Sequence, residues 1–228
     1  MAEQFQTEVY MDQGGDRQVV DDGGEIKVKS GGTVTHDSGS LEITAAGVGA
    51  KAGATVTVVE HGDTVLHKTV FTCTALPITM ADEADVIQHG GVKIYDFPAG
   101  LLLALGAVID GSVTTPVHDH ASGGTIAAWD GDIALGTVVA SNDNTLATTE
   151  QNLLQSTAVT QAIAQVANVD AVSAATLLTE SAASWIDGTA ANPDLYLNLL
   201  IDDSANNDAH TALFTGTITV TWINLGDK

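Results

Sequence analysis

The segment Gly90–Asp110, GGVKIYDFPAGLLLALGAVID, sets the tightest limit on what this chain can fold into. A glycine pair opens a short alternation carrying Val92 and Ile94, with Tyr95 and Phe97 beside it, and Pro98-Ala99-Gly100 turns the chain. Leu101–Ile109 then runs almost unbroken in apolar and small residues. Such a run cannot cross a bilayer, which takes about 20 residues in a helix. Bounded by Gly and Pro, it reads instead as a strand buried on both faces. The segment therefore predicts strand, turn and strand at the centre of a β-sandwich. It contains no nucleophile, so it organises structure and not chemistry.

The rest of the chain keeps the same rhythm. Ala54–Glu60 alternates apolar and polar side chains, His61-Gly62-Asp63 makes a turn, and Thr64–Thr74 alternates again, which predicts a hairpin. Leu76–Met80 reads as a short strand interrupted by Pro77. Thr125–Trp129 and Ile133–Ala140 read as strands separated by an Asp130-Gly131-Asp132 turn. Leu195–Ile201 and the closing Thr211–Leu225 are the clearest strands of the second half. Thr148–Asn168 is the stretch with helical content: Thr148 and Gln151 have capping-box spacing, and Leu154, Ala158, Ala162 and Val166 recur at every fourth position. A short helix is the favoured reading there, with a strand over Asn152–Thr157 as its competitor. Leu177–Ile186 is ambiguous in the same way. Roughly ten short strands, with turns about every 8–12 residues, argue for an all-β sandwich or barrel. Long-range pairing of the first and last strands suits a jelly roll.

Upstream, residues 1–22 are polar and aperiodic and predict a flexible arm, ordered on meeting a partner. Residues 23–53 form a Gly-rich β-repeat stem and linker. Gly24, Gly32 and Gly39 each precede a short apolar alternation, and Ala45–Gly53 is built of small residues. Residues 54–228 are then the jelly-roll domain.

Charge narrows the function classes. Seven basic against 29 acidic side chains give a formal charge of −22, a surface that repels nucleic acid and anionic membranes. Six of the seven basic residues precede Ile94, and 15 carboxylates with no Lys or Arg occupy Ile94–Asp227. The bland reading is a solvated acidic face; the sharper one is a mixed-charge end that docks and an acidic end that faces solvent. Cys73 stands alone, so no disulfide framework exists. The N-terminus MAEQFQTEVY does not read as a signal peptide, and a soluble protein made in a cytoplasm is expected.

Two stretches carry a resemblance. GGVKIYDFPAG with the apolar strand after it, and DGTAANPDLYLNLLIDD further on, resemble the head decoration (cement) proteins of tailed bacteriophages. The similarity spans roughly Ala54–Asn224, and it rests on Gly90, Gly91, Tyr95, Asp96, Phe97, Gly100, Asp187, Gly188, Tyr196 and Asn198. It implies a jelly-roll β-sandwich on the outer capsid surface, trimeric at or near three-fold or quasi-three-fold axes, with the major capsid protein as partner. These are motifs of fold and assign no active site. Independently, a cement protein needs no catalysis, cofactor or disulfide. Occupancy of its site shifts shell stability by mass action, and a homotrimer multiplies weak contacts.

Candidate chemistry is sparse. His118-Asp119-His120 places two imidazoles on one face of a strand, as metal-binding cupins do, but no Glu follows at the spacing those sites need. An inter-subunit or surface turn is the better reading. Asp130-Gly131-Asp132 and the Asp202–Asp208 segment offer oxygens to calcium, yet neither has EF-hand spacing, and Asx-rich stretches are ordinary turn chemistry. No nucleophile elbow, P-loop or dinucleotide fingerprint occurs in a fitting context. The expectation is therefore a structural virion protein without catalytic, cofactor or metal residues. Its arm and mixed-charge region would contact the capsid or interlock the trimer. The alternative is a carbohydrate- or receptor-binding head-fibre module, which would need a groove lined by exposed aromatics; a cupin-like metalloenzyme resting on His118 and His120 is a third reading.

Overall fold

The structure is a computed structural model that describes residues 9–11, 18–20, 50–51, 55–62, 65–81, 87–115, 129–141, 145–161, 166–172, 185–202 and 209–226. The chain divides into two compact units, Met1–Ser40 and Leu41–Lys228. In the first, β1 (Val9–Met11) pairs antiparallel with β2 (Gln18–Val20), Val9 opposite Val20. A short hairpin therefore lies within the stretch expected to be an arm. The Gly-rich repeat lies outside the described residues.

The second unit is all β. Its strands are β3 (Ala50–Lys51), β4 (Val56–Gly62), β5 (Leu66–Met80), β6 (Gln88–Asp96), β7 (Gly100–Thr114) and β8 (Asp130–Gly136). They are followed by β9 (Leu154–Thr160), β10 (Val166–Val172), β11 (Trp185–Gly188), β12 (Asp194–Asp202) and β13 (His210–Asn224). One curled antiparallel sheet runs in the order β10-β7-β13-β5-β6-β12-β8-β9. It bends where β5 meets β6 through the single residue pair Met80–Gly90. This gives two four-stranded layers, β5-β13-β7-β10 and β6-β12-β8-β9. Successive strands cross between layers at every step except β4 to β5, β8 to β9 and β10 to β11, which is the winding of a jelly-roll sandwich. Strand β4 extends the first layer beyond β5, β11 lies along Gly100–Leu103 of β7, and β3 pairs with the end of β6.

Alternation places the core between the layers. His67, Thr69, Phe71 and Cys73 point inward from β5, Ile218, Val220 and Trp222 from β13, and Leu195, Leu197, Leu199 and Ile201 from β12. An aromatic chain ties the layers together. Phe71 meets Tyr95 at 5.2 Å between ring centroids, Tyr95 meets Phe97 at 5.3 Å, and Phe97 meets Trp222 at 5.3 Å, all edge to face. Each such contact adds about 0.5–1.5 kcal/mol beyond area burial.

Several expectations change. Strand β7 is not buried on both faces: Leu102, Ala104, Ala107 and Ile109 are buried, while Leu101, Leu103 and Leu105 are half-buried and Val108 is exposed. Only one face of its layer meets the core. Strands β6 and β7 belong to opposite layers, so Pro98-Ala99-Gly100 is a crossover, with Gly100 at φ 120°, where a side chain would be strained. Pro77 does not end a strand. Strand β4 stops flanking β5 at Cys73, and an open edge tolerates a residue without N–H. Asp130-Gly131-Asp132 opens β8 and is not a turn.

The short helix expected within Thr148–Asn168 is a 3-10 turn, Thr148–Glu150, followed by strands β9 and β10. Gln151 turns the backbone outward: its Nε2 donates to the Leu146 carbonyl, and its Oε1 accepts the Ser156 N–H. The edge of β8 then captures the next segment, and ladder pairing outweighs a weak four-residue spacing in which two of the four residues are alanine.

Candidate functional site

The residues behind the resemblance do gather in part, and their role is to pin a loop. Asn198 is completely buried on the outward side of β12. Its Oδ1 accepts the Ala140 N–H at 2.9 Å, and its Nδ2 donates to the Val138 and Glu150 carbonyls at 2.9 and 2.8 Å. Gly91, opposite it on β6, must lack a side chain, because a Cβ there would sit 2.3 Å from Asn198 Oδ1. Glu150 completes the clip: its carboxylate accepts the Ser141 and Ala147 N–H groups, each at 2.7 Å. Burial works to raise the Glu150 pKa. The hydrogen bonds from Ala147 and Ser141, with the field of His89, outweigh it and hold the carboxyl below its ordinary value. The β8–β9 connection thus lies over the second layer, where Ala134, Ala140, Leu146 and Leu200 form a small outer cluster.

Next to this clip, Lys93 donates to Asp96 at 2.7 Å and to Asp194 at 3.3 Å, and the Tyr196 hydroxyl donates to Asp194 at 2.9 Å. The hydrogen bond to Asp96, helped by Asp194, raises the Lys93 pKa. The group is half-exposed and neutralises one corner of an acidic surface.

A second polar cluster lies in the core, where sequence reasoning expected none. The imidazole Nδ1 of His67 is 2.9 Å from Glu60 Oε1, Thr69 Oγ1 donates to Glu60 Oε2 at 2.7 Å, and Trp222 Nε1 donates to Thr69 Oγ1 at 2.8 Å. The His67 ring stacks on Trp222 with centroids 4.0 Å apart. The signal was present in the alternation: Glu60 falls on the inward phase set by Val56 and Val58 and requires an inward partner. All four groups are buried, so the cluster specifies strand register and offers no solvent-facing chemistry.

On the outer face of the first layer, Thr57, Val59, Thr72, Val108 and Thr217 are exposed. Across its strands, registered neighbours form one row of Val59, Val70, Thr219 and Val108, and a second of Thr57, Thr72, Thr217, Asp110 and Asp170. In a chain of formal charge −22, the first of these rows carries no carboxylate.

One groove stands out by its lining. It encloses about 480 Å³ between the 3-10 turn, β11 and Pro193, and an exposed Trp185 borders it. A smaller recess of about 210 Å³ is lined by Asp130 and Asp132. These two carboxylates share the outward side of β8, but no set of three metal-ligating side chains forms among the described residues. His118 and His120 lie outside those residues, as does most of Asp202–Asp208. Burial pushes the Cys73 thiol up to about 11, which leaves it unreactive. Comparison of the chain with protein-family models, curated proteins and solved structures returns no match.

Proposed function

We propose that this chain is a structural virion protein, a decoration or cement protein that binds the outer surface of a phage capsid as a homotrimer and stabilises the shell. The observation that carries this reading is the outer face of β4, β5, β13 and β7. A strongly acidic chain repels its own copies, so self-association or docking must use a surface where that charge is absent. The flat row Val59, Val70, Thr219 and Val108 is such a surface, and its β-branched side chains lose little entropy when covered. The second layer is covered in part by its own loop and carries Asp130 and Asp132 on its outward side, which favours the first as the docking side. In the proposed assembly the major capsid protein is the partner, and neither nucleic acid nor membrane is engaged.

The test is cosedimentation of the full chain with capsids, together with the mass of the free oligomer in solution. A trimer that pellets with shells and raises their melting temperature supports the proposal. Val108→Glu should keep the unfolding free energy within about 1 kcal/mol of the parent while abolishing the trimer. A wild-type chain that stays monomeric and leaves shells untouched refutes the proposal, as does a Val108→Glu variant that trimerises normally.

A further inference from the structure

The groove beside Trp185 lies at the β11 edge of the first layer, apart from the row of Val59, Val70, Thr219 and Val108, and its chemistry points elsewhere. Strand β11 alternates exposed and buried residues, so Ile186 enters the core while Trp185 and Asp187 face outward. The indole is 45% exposed and makes no hydrogen bond among the described residues, an unusual placement for the largest apolar side chain. The other two tryptophans, Trp129 and Trp222, are 1% exposed. Thr148 and Thr149 of the 3-10 turn, Asn152, and Pro193 just before β12 line the groove with Trp185. The volume of about 480 Å³ falls within the range of small-molecule sites, about 300–1,000 Å³.

The walls are rigid. Asn152 Oδ1 accepts the Thr137 N–H, and its Nδ2 donates to Thr137 Oγ1, each at 3.0 Å. The Thr149 carbonyl accepts the Thr137 and Val138 N–H groups, and the Pro193 carbonyl accepts the Phe97 N–H. Binding in such a groove orders little that is not already ordered.

Ligand class follows from what lines the walls. No Lys or Arg occurs between Ile94 and Asp227, so none reaches this lining from its own segments, and its charged member is Asp187. Phosphates, carboxylates and nucleotides would meet a carboxylate with no cation to offset it. One oxygen of Asp187 is held by the Thr189 N–H and hydroxyl, at 3.1 and 2.6 Å. Those bonds leave Asp187 Oδ2 to accept a ligand hydroxyl. An apolar plate, flanking hydroxyls and one carboxylate acceptor suit a ring that is apolar on one face and hydroxylated at its rim.

We propose that this groove is a binding site for uncharged carbohydrate, with a pyranose ring stacked on Trp185 and its hydroxyls held by Asp187, Thr148 and Thr149. The site shares no residue with the row of Val59, Val70, Thr219 and Val108, so sugar binding and capsid docking can be tested separately.

Titration of the full chain with neutral oligosaccharides of glucose, galactose and N-acetylglucosamine, followed by tryptophan fluorescence, tests this. Trp185 is the exposed one of three tryptophans, so a bound sugar should shift its emission and protect it from acrylamide. Trp185→Ala should weaken binding by about tenfold or more, the equivalent of one aromatic stacking contact. Asp187→Asn should weaken it several-fold, and both variants should melt as the parent does. A sialylated oligosaccharide should bind more weakly than its neutral counterpart. The proposal is overturned by no binding of any neutral glycan at millimolar concentration, by a Trp185→Ala variant that binds as before, or by preference for the sialylated probe.

Discussion

Replacing Asn198 by alanine isolates the clip that holds the β8–β9 connection against the second layer. The substitution removes the partners of three backbone groups, the Ala140 N–H and the Val138 and Glu150 carbonyls. Val138 is exposed, so its carbonyl can turn to water. Ala140 and Glu150 are buried, and an orphaned buried group costs about 1–3 kcal/mol. Two of them give about 2–6 kcal/mol, and water entering the vacated polar space offsets part of it. The expected loss is therefore about 3 kcal/mol, which for a domain of this size lowers the melting temperature by about 6–12 °C. Calorimetry measures the loss, and amide exchange at Ala140 and Ser141 should accelerate ahead of the core strands. Asn198→Asp sharpens the test. The new carboxylate would face two carbonyls, which raises its folded-state pKa above the unfolded value of about 3.9. Its favourable form is then fully present below that value and lost as pH rises through the folded pKa, so the deficit against the parent should grow from acid to neutral pH. An Asn198→Ala variant that melts within about 1 kcal/mol of the parent, with unchanged exchange at Ala140, would refute the assignment.

Two further outcomes follow from the buried carboxylates. The Glu150 pKa is lowered, so its contribution to stability is present above the unfolded value of about 4.3 and is lost as pH falls through the folded value. Glu150→Gln should flatten the acid limb of a stability–pH profile, and a variant with the parent's full acid sensitivity would contradict this. Glu60→Ala leaves His67 and Thr69 without their shared acceptor, and denaturant unfolding should report a loss of about 3–5 kcal/mol; a loss under about 1 kcal/mol would show that the pair is not coupled.

Much of the strand content was legible because alternation and turn chemistry act locally. The hairpin of β4 and β5, the β12 strand and the long β13 all announce themselves in ATVTVVE, LYLNLLI and TGTITVTWI. The Thr148–Asn168 stretch misled because tertiary contacts set its fate: the side-chain hydrogen bonds of Gln151 and Asn152 and the edge of β8 settle it, and none of these leaves a periodic trace. Pro77 misled for the same reason, since a proline's tolerance depends on which neighbour strand is present. Of the candidate sites, the metal readings that were weighed and set aside attached to residues conspicuous by type. The groove at Trp185 was invisible because it assembles residues from three separate segments, 137–152, 185–187 and 193. What sequence did supply was the criterion, a groove bordered by an exposed aromatic.

The position of β13 between β5 and β7 also bears on how the chain is made. Both flanking strands leave the ribosome long before their shared neighbour: 210 − 114, or 96 residues, separate Thr114 from His210. At translation rates of about 5–20 residues per second, that is roughly 5–20 s. During that interval the nascent chain holds two 15-residue strands whose inner edges have no ladder. Polysomes bring such chains close together, and a chain rich in carboxylates repels its neighbour through that window. The acidity that shapes the finished surface therefore also acts as a safeguard during synthesis, keeping the vacant slot open for the strand that belongs in it.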